Sequence, residues 1–444
     1  MTPCLDTVIV NGLVLTQDSR ATVFANGFVA IDGNRIAAVG GMADAGRLPP
    51  ARETVDAGGR LVMPGLVNSH THLPMSLFRG LADDLPLDRW LNDYIFPAEA
   101  RCIDAESVRI GSLLSCAELL LSGTTTCCDG YFYEDQVAAA VLESGLRGVL
   151  GQGVVDFPAP GVPDPEDNVA AAADFVRRWQ GRHRRILPSI FCHSPYTCGS
   201  ETLKRAKAAA DRAGVLFQIH VAESRQEAER LQSEQGAGPV AYLDRLGILD
   251  RRTLLVHAVW TGETDHACIA ARKSAVAHCP ESNAKLASGV APLASLLSAG
   301  VTVGLGTDGC ASNNDLDLWR EMGFAAKLQK VALDDPTVVD AATAVNLAVG
   351  GGARALGLAG VVGALETGLA ADVIIVDTHQ PHLTPMYHPQ SHLVHAARGA
   401  DVSDVWVDGR RVVAGRRLLT IDLTALTAAV AVAKRRIVDS LAGA

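Results

Sequence analysis

The chain changes its hydrophobic rhythm twice. Over the first sixty residues, short apolar runs alternate with polar positions: "DTVIVNGLVLTQ", "GFVAIDGNRIAAVG" and "GGRLVMPG". Asn-Gly, Asp-Gly and Gly-Gly pairs punctuate them, and these supply the positive φ that tight turns need. The spacing predicts a β-meander. The same style returns near the end, in "ADVIIVDT" and "DVSDVWVDGRRVVAGRRL". Both ends are therefore expected to combine into one small, discontinuous β-sandwich domain. The final pattern, "ALTAAVAVAKRRIVDSLAG", has helical spacing.

Between these ends, β-rich apolar runs alternate with helical stretches. The runs are "GLVNSHTH", "TTTCCDGYF", "LRGVLGQGVV", "RILPSIFCHSPYT", "VLFQIHVAES", "TLLVHAVW", "SAVAHCPESN" and "VTVGLGTDG". Helical segments such as "SVRIGSLLSCAELLLSG" and "SETLKRAKAAADRAG" separate them. Alternation of this kind implies a parallel sheet. Eight units over ~250–300 residues predict an α/β fold, a (β/α)8 TIM barrel. The expected division gives residues 61–362 to the barrel. Residues 1–60 and 363–444, the latter with the C-terminal helix, form the satellite. The Pro-rich "DFPAPGVPDPEDN" after the third run predicts an ordered loop over a site.

Composition narrows the function classes. With 48% apolar residues among 444, a large core is available. A net charge of −10 argues against a nucleic-acid partner. No window reaches the apolar length of a membrane span, and no basic segment precedes an apolar leader. The ten cysteines are scattered without a C-x-x-C knuckle. A cytoplasmic protein with reduced thiols and a small-molecule partner is expected.

Candidate chemistry sits at the downstream ends of the eight runs, the face where such barrels build their sites. In "GLVNSHTHLPM", His70 and His72 share one face of a strand. Alone, that pair reads equally well as a turn. Other run ends add His193, His220 with Glu223, His257, His278 and, in "GTDG", Asp308. Three histidines and a carboxylate suit zinc, or another borderline divalent ion such as iron, with positions left for water. We assign His70, His72, His220 and Asp308 as ligands. Metal coordination lowers a water's pKa towards ~7. Glu223, three residues past His220, is expected to begin a loop and carry protons between water and substrate. His257 is expected to orient the nucleophile or stabilise developing charge. The fourth run contains no lysine that could bridge two ions, which favours one metal per subunit.

These segments, together with "CHSPYTC", "QIHVAES", "HCPESNAKLASGVAPL" and "MSLFRGLADDLPLDRWL", resemble the amidohydrolase superfamily. More narrowly, they resemble its S-adenosylhomocysteine / 5'-methylthioadenosine deaminase group, a neighbour of s-triazine hydrolases and guanine deaminases. The likeness spans residues from about 5 to about 440. It implies zinc at His70, His72, His220 and Asp308, and proton transfer through Glu223 and His257. It implies that Glu99 binds the ribose hydroxyls, as a carboxylate facing a vicinal diol can. It implies that His193 and Glu223 contact the nucleoside and that Trp90 walls the pocket. Arg147 matches an arginine at the substrate's far end; as the first residue of a strand, it could equally pair with a nearby acid. The implied reaction is hydrolytic deamination of 5'-methylthioadenosine, adenosine or S-adenosylhomocysteine to the inosine analogue and ammonia. The alternative is a guanine, pterin or s-triazine deaminase or hydrolase of the same branch. A homodimer is expected only by analogy with this barrel type.

Overall fold

The structure, a computed structural model, describes residues 4–442. Eight parallel strands follow one another in chain order: β1 (Leu66–Thr71), β2 (Thr124–Tyr131), β3 (Arg147–Val154), β4 (Ile186–Cys192), β5 (Leu216–Val221), β6 (Thr253–His257), β7 (Ala275–His278) and β8 (Thr302–Leu305). They coincide with the eight predicted runs. Every residue of β1, β2 and β3 is buried, as a parallel sheet covered on both faces requires. Helices occupy each crossover. The one over Ala105–Leu121 starts at a capping box: Ser107 N donates to Asp104 Oδ1, and Asp104 N donates to Ser107 Oγ.

β1 and β8 meet at a seam stitched partly by a side chain. Thr307 N donates to Asn68 Oδ1 at 3.1 Å, and Asn68 Nδ2 donates to Thr307 Oγ1 at 2.8 Å. Just above, Asp308 N donates to His70 O at 3.0 Å. Gly306 permits this approach, because a Cβ there would lie 2.9 Å from both the Cβ and the N of His70.

The chain ends share one nine-stranded sheet that branches at strand Leu5–Leu15. One edge of that strand pairs antiparallel with Val23–Asp32; the other pairs in parallel with Ala51–Asp56 and then with Leu61–Pro64. Leu61–Pro64 in turn pairs with Val373–Val376, which joins the two ends of the sequence. Alternation places Phe28 and Ala30 in one apolar cluster and Val29 and Ile31 in another. The expected boundary at residue 61 shifts accordingly, since Leu61–Pro64 belongs to this sheet and the barrel strands begin at Leu66. The C-terminal helix also moves. Leu423–Ala442 leaves the satellite and returns to the barrel, where Arg436 pairs with Asp104 at 2.8 Å and Glu106 at 3.2 Å.

Arg147 requires a correction. It opens β3 and is 2% exposed. Its guanidinium donates to Asp372 from Nη2 at 3.0 Å and from Nε at 3.3 Å, and Asp408 lies 3.7 Å away. Both acids come from the terminal sheet segment. Eight residues of strand span ~25 Å, so the first residue sits at the opposite end of the barrel from the candidate site. Arg147 is a strut between the two domains and does not reach the substrate's far end. All ten cysteines are free. No helix among the described residues is long and apolar enough to cross a membrane.

Candidate active site

Four donors converge where β1, β5 and β8 end. One atom each from His70, His72, His220 and Asp308 lies within 4.8 Å of the others. His70 Nε2 is 3.1 Å from His220 Nε2 and 3.4 Å from Asp308 Oδ1, and His72 Nε2 is 3.3 Å from that same oxygen. Atoms bound tetrahedrally at 2.0–2.1 Å from a common centre sit ~3.3 Å apart, so these separations fit a zinc-sized ion. The chemistry of the donors fits as well. Burial brings the His70 imidazole down to about 4 against the pull of Asp308, and holds His220 well below its ordinary value. Both rings are therefore neutral, the form that ligates. Burial alone would raise the Asp308 carboxyl, but the His70 hydrogen bond and the neighbouring imidazoles outweigh it and keep the group well below the usual range.

Surrounding groups fix which atoms point inward. His72 Nδ1 lies 2.6 Å from Gly130 O, so that nitrogen carries the proton and Nε2 faces the other donors. A Cβ on Gly130 would meet the Phe191 ring at 2.5 Å, so the residue must stay small to bring its carbonyl there. Asp308 Oδ2 accepts from Ser282 Oγ at 2.7 Å and Ser312 Oγ at 2.8 Å, which leaves Oδ1 for the imidazoles. Asp129 Oδ1 accepts from Thr71 Oγ1 at 2.7 Å and Leu73 N at 2.6 Å, bracing the segment between and after the two histidines.

Beside the donors stands a second pair. His257 Nε2 and Glu223 Oε2 are 3.7 Å apart. His257 Nδ1 lies 2.9 Å from Asn283 Oδ1, so its proton resides there and Nε2 is left as an acceptor. Burial raises the Glu223 carboxyl; His257 opposes this and Asp308 adds to it. Glu227 accepts backbone N–H groups from Ala222 at 2.9 Å and Glu223 at 2.8 Å, which pins the turn that presents Glu223. Four non-glycine residues at these strand ends adopt left-handed backbone: Ala222 (φ 52), His257 (φ 75), Ala258 (φ 49) and Asp308 (φ 62). Such conformations cost ~1–3 kcal/mol each and persist where the surroundings enforce them.

One cavity of about 920 Å³, counted to its mouth, unites these groups. Glu99, Trp90, His193, His220, Glu223, His257 and Asp308 all line it. Glu99 comes from the short helix Phe96–Cys102, and burial raises its carboxyl to about 7 against the Tyr131 hydrogen bond. His193, at the end of β4, places Nδ1 2.9 Å from Thr197 Oγ1. The Pro-rich loop contributes Phe157, Pro158 and Pro160 to the wall, as its composition predicted. His278 is buried away from this cavity. Ser282, Asn283, Ser312, Glu227 and Phe191 were not singled out in the sequence. Ser282 and Asn283 lie within the "HCPESNAK" motif, which was the available signal.

An eight-stranded barrel with three imidazoles and a carboxylate at its C-terminal face belongs to the class of barrel hydrolases built around a metal centre. The amidohydrolase family pattern matches residues 61–412, and the chain belongs to that family. A relative from Syntrophobacter fumaroxidans, a 5-methylthioadenosine/S-adenosylhomocysteine deaminase, is 46% identical over 94% of this chain and 95% of its own. A 5'-deoxyadenosine deaminase from Methanothermobacter thermautotrophicus is 47% identical over 86% of this chain and 88% of its own. Among solved structures, an adenosine deaminase from Xanthomonas campestris with bound zinc is 38% identical. It superposes with a TM-score of 0.96 over 98% of this chain and 99% of that one.

Proposed function

We propose that this chain hydrolyses the exocyclic amino group of an adenine nucleoside, giving the inosine analogue and ammonia. The observation that carries the reading is one cavity holding the four-donor cluster, the Glu223–His257 pair beside it and Glu99 further along the wall. The deaminase names of the relatives support it. His70, His72, His220 and Asp308 would hold one zinc ion. Bound there, a divalent ion supplies Lewis acidity that makes a water nucleophilic near neutral pH.

The chain's own groups do the rest. His257, with its proton committed to Asn283, accepts a hydrogen bond from the attacking water and aims it at C6 of the purine. Glu223, whose carboxylate burial makes the stronger base, takes the water's proton and delivers it to N1. Glu223 next takes the proton of the new C6 hydroxyl and passes it to the amine, so that the C6–N bond breaks as the C6 carbonyl forms. Glu99 receives the ribose hydroxyls, His193 contacts the nucleoside, and Trp90 closes one wall. Part of the cavity wall is apolar, with Phe132, Val155, Phe157, Pro158 and Pro160, and neither lysine nor arginine lines the cavity. A neutral 5'-methylthio group suits this wall better than the charged tail of S-adenosylhomocysteine. The reading is completed by a cytoplasmic setting and, by analogy with this barrel type, a homodimer.

The test is ammonia release from the zinc-loaded protein across adenosine, 5'-methylthioadenosine, S-adenosylhomocysteine, guanine and melamine. The highest kcat/KM is expected for 5'-methylthioadenosine. Turnover of guanine or melamine alone would overturn the nucleoside reading.

A further inference from the structure

We propose that Tyr131 is the positioning residue of the sugar subsite, holding Glu99 so that its free oxygen meets a vicinal diol at a fixed distance from the metal donors. This rests on the nucleoside reading above and deepens it. The Tyr131 hydroxyl donates to Glu99 Oε1 at 2.5 Å, and both residues line the cavity while only 4% and 6% exposed. Among the described residues, this is the hydrogen bond that Glu99 makes through its side chain. A glutamate has three torsions, and a carboxylate held by one oxygen loses most of its freedom. The second oxygen is then presented to the cavity in one orientation. A hydroxyl that has donated its only proton has none to give a diol, whose hydroxyls then act as donors, with the free carboxylate oxygen as the charged acceptor.

The origin of Tyr131 gives this contact its reach. Asp129, Gly130 and Tyr131 are consecutive at the end of β2. Asp129 braces Thr71 and Leu73, and the Gly130 carbonyl holds His72 Nδ1. Tyr131 then holds Glu99. Three adjacent residues of one buried strand therefore grip the metal-donor segment and the sugar carboxylate together. The helix that carries Glu99 is a separate element reached through a long crossover. Without the phenol, the sugar carboxylate loses its direct side-chain link to β2.

The experiment compares Tyr131→Phe, Glu99→Gln and the double variant with the unaltered enzyme, all zinc-loaded. Substrates are adenosine, 2'-deoxyadenosine and 3'-deoxyadenosine, and the readout is the ratio of kcat/KM for the ribonucleoside to each deoxynucleoside. That ratio is internal to each preparation, so a loss of folded protein cancels from it. Tyr131→Phe is expected to shrink the ribose preference about tenfold, the weight of one charge-assisted hydrogen bond, mainly through a higher KM for adenosine. The double variant should discriminate no less than Glu99→Gln alone. If Glu99→Gln lowers the ratio and Tyr131→Phe leaves it unchanged, or lowers all three substrates by one factor, the positioning role is overturned. If Glu99→Gln itself leaves the ratio intact, the sugar reading of Glu99 falls, and this proposal with it.

Discussion

Replacing Ser282 and Ser312 with alanine should weaken metal binding without touching a ligand. The two hydroxyls donate to Asp308 Oδ2 at 2.7 and 2.8 Å, and each is 3% exposed or less. Hydrogen bonds to a charged acceptor contribute ~1.5–3 kcal/mol each, and leaving a buried carboxylate oxygen bare costs a comparable amount. One deletion is therefore expected to raise the zinc dissociation constant by roughly 10- to 100-fold, the range typical of groups that orient a metal ligand. The pair should fall short of additive. Ser282 Oγ and Ser312 Oγ also lie 3.0 Å apart, so removing either already disturbs the other. The assay is competition for zinc against a chromophoric chelator, at fixed pH, with circular dichroism to confirm a folded barrel. Single variants whose dissociation constants stay within about twofold of the parent would refute the claim that these serines decide which Asp308 oxygen faces the donors.

Three further outcomes follow. Glu223→Gln should retain stoichiometric metal and lose about 10²- to 10⁴-fold in kcat, measured by ammonia release; an undiminished rate would remove Glu223 from proton transfer. Arg147→Met leaves Asp372 buried without its cation, so a loss of ~3–5 kcal/mol in urea unfolding is expected with KM unchanged. A raised KM at full stability would return Arg147 to the substrate. Because burial lifts the Glu99 carboxyl from its ordinary 4.5 to about 7, its folded form holds the proton more tightly than the unfolded chain does. The stabilising contribution is complete below the unfolded value and is lost as pH rises towards about 7. Unfolding at several pH values should show Glu99→Gln losing less stability across that window than the parent.

Period and spacing were enough to read the barrel, because each strand is a buried apolar run between helical stretches. They also exposed the donors, since a histidine or aspartate at the end of such a run breaks its character. The satellite was legible as β-structure but not in its pairing, because Leu61–Pro64 reads the same whether its neighbours are barrel or sheet. The C-terminal helix had a visible apolar stripe, yet nothing in the sequence says which surface that stripe covers. Arg147 misled for a related reason: a strand residue carries no label for the end of the barrel it occupies. Ser282, Asn283 and Glu227 were hidden because hydroxyls, amides and carboxylates near helix starts are ordinary caps until a structure shows what they face. The left-handed φ at His257 and Asp308 was equally unreadable, as neither residue type requires it.

The seam between the first and last barrel strands carries a thermodynamic consequence. Asn68 and Thr307 are 239 residues apart in the chain, and one amide side chain does part of the stitching there that backbone does elsewhere in the sheet. His70 stands on one lip of that seam and Asp308 on the other, joined by a backbone hydrogen bond. An ion held by both is a clasp across the longest loop the barrel must close. Affinity for metal and closure of the cylinder then become a single linked equilibrium, in which free ion concentration sets how firmly the ring stays shut.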